Sequence, residues 1–169
     1  MKTYKLNDLN NPLISVLMPA YNAEKYIKEA IESILNQTFS NFEFIIIDDG
    51  SIDATEEIIK SFKDSRIVYI KNEKNLGLIK TLNKGISIAR GEFIARMDSD
   101  DISMPQRFEL QLDVFKKYKG VDIVNVALKK MSEDGTKLSK YRHNIYPGFE
   151  AIHYLINIDT FIVHPGVLV

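Results

Sequence analysis

Three carboxylates lie within four consecutive positions of the sequence, at Asp98, Asp100 and Asp101, directly after the apolar stretch 91–95. Like charges this close raise one another's pKa, and a cation between them relieves the repulsion. In an extended chain residues i and i+2 project to one side, so Arg96, Asp98 and Asp100 are expected to share a face, with Asp101 turned away. Carboxylate oxygens without cysteine or clustered histidine suit hard cations. We therefore interpret the loop as a Mg²⁺ or Mn²⁺ site with Asp98 and Asp100 as ligands.

Simpler readings of the same loop have to be weighed. A single Asp in such a place is more often a solvated turn or a helix cap, and Asp101 is a candidate cap for a helix near Pro105. An EF-hand is excluded because Ser103 stands where Gly is needed and Pro105 interrupts the loop. A P-loop is excluded because the sequence has no Gly-x-x-x-x-Gly-Lys. A divalent ion held by few protein groups keeps open positions, for which a diphosphate is the usual co-ligand.

The elements that must position this loop follow from apolar periodicity, which alternates between strand and helix spacing four times. The alternation predicts right-handed βαβ units and a mostly parallel sheet flanked by helices, that is, an α/β, Rossmann-like single domain. Asn22 is predicted to cap the first helix, and Asp53 with Glu56 resembles a capping box for the second. The predicted strands are 13–18, 42–47, 66–70, 93–97 and 121–128, and the helices are 24–36, 53–62, 78–89 and one from Pro105. A hairpin turn at 133–135, a helix at 148–158 and a strand at 161–169 are predicted to follow.

Ligands of open α/β sheets bind beyond the carboxyl ends of the strands. The loops 19–22, 48–51 and 98–101 each follow a predicted strand, so a parallel sheet would bring all of them to the same edge. An Asp at a strand end can accept hydrogen bonds from a nucleobase or a ribose, and Pro19 and Tyr21 offer apolar surface for a base. The alternative is that Ser51 or Asp53 only caps a helix. From the residues alone, Lys80 and Asn83 are more simply surface groups of the third helix.

Bulk composition limits the class of protein. The chain has 169 residues, 45% of them hydrophobic, and a formal net charge of −1. These values indicate one globular domain and argue against a general nucleic-acid binder. The absence of cysteine excludes disulfides and thiolate metal sites. No apolar run approaches the length of a membrane span, and the first residues lack the apolar core of a signal peptide. A cytoplasmic protein is expected.

Several short motifs, taken in order, resemble one known family. They are VLMPAYN (16–22), IIDDGS (46–51), NLG (75–77) with NKG (83–85), ARMDSDD (95–101), and PQR (105–107) with Gln111. The acidic Asp-x-Asp alone is weakly specific, whereas the ordered set closely resembles the family-2 glycosyltransferases of bacteria, which have the GT-A nucleotide-sugar fold. The likeness runs from about Leu13 to Leu112.

The resemblance implies an inverting transfer of a sugar from a nucleotide diphosphate donor, commonly a UDP-sugar, to an acceptor hydroxyl of a glycan or a lipid-linked saccharide. It implies that Asp49 bonds the base, that Asp98 meets the ribose or the metal, and that Asp100 is the main ligand of a Mn²⁺ or Mg²⁺ bridging to the diphosphate. Such an acceptor also implies possible peripheral association with the inner face of the cell membrane. The nucleotide-sugar-binding positions carried over are Pro19, Ala20, Tyr21, Asp49, Lys80, Asn83, Arg96 and Asp98.

Two departures from the family pattern stand out. Thr81-Leu82 occupies positions where many relatives have Ala-Arg, so a donor contact of that Arg falls to Lys80 or is lost. The carboxylate general base that an inverting transfer needs is expected beyond Val169. His164 is the one late residue that could face the site, and a packed, hydrogen-bonded histidine is the simpler interpretation. The domain prediction is a tail at 1–12, a nucleotide-sugar-binding core at 13–128 and the start of an acceptor-side region at 129–169.

Two other functions stay open from the sequence. A nucleotidyltransferase would need a Gly-rich, basic phosphate loop after the first strand, where this chain has PAYN at 19–22. A non-catalytic nucleotide-sugar-binding module would retain the acidic loop and lack the base.

Overall fold

The structure, a computed structural model, describes residues 12–126, 128–132, 138–141 and 168–169. Strands and helices alternate along the chain up to residue 117, and a two-stranded hairpin follows. The elements are β1 (Ile14–Ala20), α1 (Ile27–Leu35), β2 (Phe42–Asp48), α2 (Thr55–Ser61), β3 (Ile67–Lys71), α3 (Leu78–Ile88), β4 (Phe93–Arg96), α4 (Arg107–Lys117), β5 (Leu128–Met131) and β6 (Leu138–Tyr141). The predicted fourfold alternation is confirmed.

The main sheet has the strand order β3-β2-β1-β4, and its pairings are parallel. The chain moves outward from β1 through β2 to β3 and then returns to the other side of β1 for β4. The carboxyl end of β1 is therefore a topological switch point, where loops diverge and leave a crevice. In the register, Ala20 pairs with Asp48 and Leu17 pairs with Arg96. The loops after β1, β2 and β4 are neighbours at one edge, as the sequence predicts.

The sheet is buried on two faces by different sets of helices. One face carries Ile14, Val16 and Met18 and packs in a single apolar cluster with residues of α1, α2 and α4. The opposite face carries Leu17, Ile45 and Ile47 and lies under α3. Burial on both faces explains why β2 reads as the nearly continuous apolar run FEFIIID.

Helix α3 approaches the sheet closely at a glycine. A Cβ atom added to Gly85 would lie 3.2 Å from the Cδ1 atom of Ile47 and 3.3 Å from the Cδ2 atom of Leu17. A larger residue would therefore press on both side chains. This packing lets α3 lie close to β1 and β2 on that face of the sheet.

The predicted fifth strand at 121–128 is wrong. Among the described residues, Val124 forms an isolated antiparallel bridge with Leu168, which also bridges Ala95 of β4. Polar Asp122 and Asn125 interrupt the apolar run there, and the next strand begins at 128. Residue 169 continues this antiparallel edge, since its backbone exchanges hydrogen bonds with Ile94. It is the last residue of the strand predicted at 161–169, most of which lies outside the described residues.

The hairpin predicted around residues 133–135 is bracketed by the antiparallel pairing of β5 with β6. The turn itself and the helix predicted at 148–158 lie outside the described residues. In the described part of the chain, no helix is both long and apolar enough to cross a membrane.

The cap predicted at Asn22 is wrong, and of the predicted capping box only Asp53 makes a local bond, since its Oδ1 atom accepts the backbone N–H of Thr55 at 3.0 Å. Helix α1 begins at Ile27 without a side-chain cap, and Asn22 accepts a hydrogen bond from the backbone of Ile52 at 3.0 Å. Glu56 does not complete a capping box, since its carboxylate pairs with Lys60 and Lys71. At Asn22 and Glu56 other partners took the place of the predicted cap contacts.

Candidate functional site

The loops after β1 and β2 are joined by reciprocal hydrogen bonds. Backbone N–H groups after β1 donate to side chains after β2, and backbone N–H groups after β2 donate back to side chains after β1. The pairs are Asn22 N to Ser51 Oγ (3.0 Å), Ala23 N to Thr55 Oγ1 (2.8 Å), Glu24 N to Asp53 Oδ2 (3.1 Å), Ile52 N to Asn22 Oδ1 (3.0 Å) and Ala54 N to Glu24 Oε2 (2.9 Å). These bonds satisfy donors that a loop would otherwise leave to water, and they fix the two loops against each other.

Residues 19–22 lie beside these hydrogen-bonded loops and differ in exposure. Pro19 is partly buried and Ala20 is buried, both within β1. Tyr21, the first residue after the strand, is 48% exposed. Its ring is therefore available at the edge of the sheet, whereas Asn22 is held at a φ of 48° by the loop bonds.

Asp49 is buried and accepts hydrogen bonds from the loop that follows β3. Backbone N–H groups of Leu76 and Gly77 donate to it at 2.9 Å, and Asn72 Nδ2 donates at 2.7 Å. Burial alone raises the pKa of Asp49, but the hydrogen bonds from Leu76, Asn72, Thr81 and Gly77 outweigh burial and leave that pKa below its usual value. Asp49 therefore stays ionised and latches loop 72–77 to the end of β2.

The residue after Asp49 has to be glycine. Gly50 has a φ of 77°, and a Cβ there would lie 2.8 Å from the carbonyl carbon of Lys74 and 2.9 Å from the nitrogen of Asn75. Both contacts are with backbone atoms, which cannot rotate away. The close approach of loop 72–77 and the left-handed backbone together require a residue without a side chain.

Asn72 extends the latch to α3. This buried side chain donates to Asp49 and, at 3.3 Å, to the hydroxyl of Thr81, and its Oδ1 atom accepts from Lys84 Nζ at 2.6 Å. Sequence reasoning missed both Asn72 and Lys84, although a polar residue directly after β3, at the same edge as the other loops, was a usable signal. Lys80 and Asn83 are exposed on α3, in keeping with surface groups.

The acidic loop folds as a turn and is not extended. The backbone N–H of Asp101 donates to the carbonyl of Asp98 at 3.3 Å, so the strand alternation expected from the sequence does not hold here. Arg96 donates from Nη2 to Asp98 Oδ1 at 2.8 Å. Asp100 is exposed, and Asp98 and Asp101 are partly buried.

Asp101 is a carboxylate of the turn whose pKa is clearly shifted. Burial, followed by the charges of Asp100 and Asp98, raises its pKa to about 6 against the opposing effect of Arg107 and Arg96. Burial and the two neighbouring carboxylates thus disfavour the charged form of Asp101 more than the two arginines favour it. Asp101 does not cap α4, which begins at Arg107 without a side-chain cap.

Arg107 ties the acidic turn to α4 from the buried side. Its Nη2 atom donates to the carbonyl of Arg96 at 2.9 Å, and its Nε atom donates to Gln111 at 3.2 Å. Burial lowers the pKa of Arg107 to about 10, and the charge of Asp101 opposes that shift. The guanidinium stays charged and holds the end of β4 in place.

The donor set of the turn fits a hard divalent cation. It offers the carboxylate oxygens of Asp98, Asp100 and Asp101, and a bound cation would offset the repulsion among these charges. Across the residues that the structure describes, no three His, Cys, Asp or Glu side chains converge on one metal position. Asp98 and Asp100 stay the predicted ligands of such an ion.

Comparison with known proteins identifies the family. Residues 15–168 match the model of the family described as Glycosyl transferase family 2. An uncharacterized glycosyltransferase of Methanocaldococcus jannaschii is 40% identical over 168 residues, which cover 97% of this chain and 58% of that protein. The UDP-Glc:alpha-D-GlcNAc-diphosphoundecaprenol beta-1,3-glucosyltransferase WfgD of Escherichia coli is 37% identical over 69% of this chain and 49% of its own length.

Among solved structures, residues 1–349 of S. aureus TarS in complex with UDP-GlcNAc superpose with a TM-score of 0.63 at 30% identity, covering 70% of this chain and 34% of that chain. The fold is thus the GT-A type that the sequence predicts, and the chain belongs to glycosyltransferase family 2. It spans 58% and 49% of the length of the two relatives named above.

Proposed function

We propose that this chain is the donor-binding part of an inverting, metal-dependent glycosyltransferase that uses a UDP-sugar. The observation that carries the proposal is the meeting of Tyr21, Asp49 and the acidic turn at the switch point of the sheet. WfgD is named for UDP-Glc, and TarS was solved with UDP-GlcNAc. The acceptor is a hydroxyl of a glycan or a lipid-linked saccharide, the latter in keeping with the diphosphoundecaprenol in the name of WfgD.

The base and ribose bind at the β1 and β2 end of the crevice. Tyr21 offers an exposed ring and Pro19 an apolar surface, with Ala20 beneath them. Asp49 is ionised and hydrogen-bonded to backbone N–H groups on both oxygens, so its geometry is fixed before a base arrives. The four protein donors of Asp49 already match the four lone pairs of a carboxylate. A base N–H therefore takes the place of one of them, and the Thr81 hydroxyl is the donor that can rotate away.

The diphosphate binds at the β4 end. Asp100 and Asp98 hold a Mn²⁺ or Mg²⁺, which when bound supplies Lewis-acid stabilisation of the nucleotide leaving group. Arg96 neutralises part of the charge on Asp98 through their 2.8 Å contact and stays close to the phosphates. Lys80 and Asn83 on α3 complete the set of donor-binding residues.

An inverting transfer also needs a carboxylate to take the proton of the acceptor hydroxyl. We assign that role to none of the described residues, since the acids at this edge serve the turn and the latch. The loop after β1 has no glycine and no basic residue before Lys25, which disfavours the nucleotidyltransferase alternative. A non-catalytic binding module keeps all of the donor contacts and differs only in lacking this proton acceptor.

The proposal is tested by titrating UDP into the chain with and without Mn²⁺ in a calorimeter. We expect binding that a chelator weakens and that Asp100→Asn abolishes, because the amide lacks the charge a hard cation needs. Asp113→Asn is the matched control, since Asp113 is an exposed Asp of α4 that pairs with Lys116 at 3.0 Å on the helix surface. This variant should bind UDP as the wild type does. Equal affinity for UDP with and without metal would overturn the role of Asp100.

A further inference from the structure

The segment that follows the acidic turn is fastened to the far end of α1. Residues 103–105 leave the turn and lead into α4. Ser103 donates its backbone N–H to Ser33 Oγ at 3.0 Å, and the carbonyl of Pro105 accepts from the backbone N–H of Thr38 at 2.9 Å. Helix α1 belongs to the first βα unit, so these bonds connect the β4 loop with a distant part of the chain.

Gln37 lies at the centre of this attachment and is buried, with 6% of its surface exposed. Its Nε2 atom donates to the carbonyl of Met104 at 2.8 Å and lies 3.1 Å from both Ser103 Oγ and the carbonyl of Ser33. Its Oε1 atom accepts the backbone N–H of Phe108 at 3.3 Å. Both ends of the amide are thus used, and one side chain joins α1, the exit of the acidic turn and the first turn of α4.

Because Gln37 is buried, losing any of these hydrogen bonds would be energetically costly. A buried amide without partners is costly, so Gln37 holds its contacts in one arrangement. Its partners are mostly backbone atoms, which fixes the path of the chain and not merely the rotamer of a neighbour. The acidic turn ends only two residues before Ser103, so its place at the sheet edge depends on this anchor.

We propose that Gln37 is a positioning residue for the cation-binding carboxylates of the acidic turn. The inference rests on the proposed function. It adds that the coordinating geometry of Asp98 and Asp100 is set from α1, by a side chain that touches neither of them. A displacement of about 1 Å at a coordinating or catalytic group is enough to lose most of its effect.

The test is Gln37→Met, which keeps the length and apolar bulk of the side chain and removes every polar contact. UDP affinity is measured with and without Mn²⁺, and the ratio of the two values is the metal-linked enhancement. We expect Gln37→Met to reduce this enhancement by about tenfold while leaving metal-free UDP affinity within about twofold of the wild type. A merely structural role would lower the folded fraction equally in both titrations and leave the ratio unchanged.

The control is Thr38→Val, which removes only the hydroxyl contact with Pro105 at 3.2 Å and keeps the backbone bond. It should retain the full enhancement. If Gln37→Met does not fold, Ser103→Ala decides instead, since it removes one partner of Gln37, and a loss of about threefold is then expected.

The outcomes separate the two proposals. A wild-type chain that shows no metal-linked UDP binding would refute the proposed function. A wild-type chain that shows it, together with a folded Gln37→Met or Ser103→Ala variant that keeps the whole enhancement, would refute the positioning role alone.

Discussion

Replacing Asp49 with Asn tests whether this residue is a structural latch as well as a ligand for a base. The substitution keeps the shape of the side chain and removes its charge. Oδ1 of Asp49 accepts from Asn72 Nδ2 and Leu76 N, and Oδ2 accepts from Gly77 N. An amide has one oxygen, so its NH₂ group must face at least one of these donors in either orientation.

The cheaper orientation puts the amide nitrogen beside Gly77 N and leaves the other two bonds intact. A lost bond to a buried donor costs about 1–3 kcal/mol. Here the low end applies, because Gly77 N also has Asn75 Oδ1 at 2.9 Å. The two remaining bonds change from charge-assisted to neutral, which costs about 1 kcal/mol each. Relief of the buried charge offsets part of this total. We therefore expect a net loss of about 2 kcal/mol in the free energy of unfolding.

The measurement is urea unfolding of the wild type and Asp49→Asn followed by circular dichroism from pH 7 down to pH 3. The folded-state pKa of Asp49 lies below its ordinary value of 3.8, so the stability it contributes is present above that pH. It is lost as pH falls through the folded-state pKa, so the gap between the two proteins should narrow below about pH 4. Glu73→Gln, at an exposed acid of the same loop, should leave stability unchanged. Wild-type stability in Asp49→Asn at pH 7 would refute the latch.

Further predictions concern glycine, a buried acid and the acidic turn. Gly91→Ala should prevent stable folding, seen as lost cooperative melting, because its Cβ would lie 2.5 Å from the backbone nitrogen of Ser15. Glu43→Gln should lower the free energy of unfolding at pH 7 by about 1–3 kcal/mol. Burial raises the pKa of Glu43, but its hydrogen bonds outweigh burial and leave that pKa below 4.5. The difference in stability between variant and wild type, measured by urea unfolding, should therefore disappear in acid. Asp101→Asn should stabilise the metal-free chain at pH 8 by on the order of 1 kcal/mol. The pKa of Asp101 rises from 3.8 to about 6, so removing its charge can stabilise the fold by at most about 3 kcal/mol. The expected gain is smaller because Arg107 loses a neighbouring opposite charge. That gain should vanish below pH 4, and a loss of stability at pH 8 would contradict it.

Much of the fold followed from the sequence because its signals are local. Apolar spacing separates β1 from α1 within a dozen residues, and each later unit repeats that contrast. The edge at which the loops meet then follows from the parallel sheet alone, which is why 19–22, 48–51 and 98–101 were expected together. The strand expected at 121–128 failed because its pairing partner, Leu168, is distant in sequence and pairs through one residue only.

The parts of the site that sequence reasoning missed depend on contacts between loops. Asn22 is a good helix cap by type, yet its oxygen accepts the backbone N–H of Ile52, thirty residues away along the chain. Asp53 divides its carboxylate between the local Thr55 N and the distant Glu24 N. Asp101 was expected to stabilise a helix end, and its raised pKa instead shows that its surroundings disfavour its charge. Neither outcome is contained in the identity or spacing of neighbouring residues. Both require knowing which loops are adjacent.

These observations change what the ordered motifs mean physically. In the DDGS motif, Asp48 accepts from Ser51 N at 2.8 Å, Asp49 latches loop 72–77, Gly50 admits that loop, and Ser51 binds the β1 loop. All of these residues are engaged within the protein before any ligand binds. Tyr21 and Asp100, by contrast, are exposed at the same edge. Most polar residues of the motif therefore form hydrogen bonds that fix the loops, which the parallel sheet by itself only brings close together. In the proposed function, the exposed Tyr21 and Asp100 meet the nucleotide sugar on this prearranged surface together with Asp49.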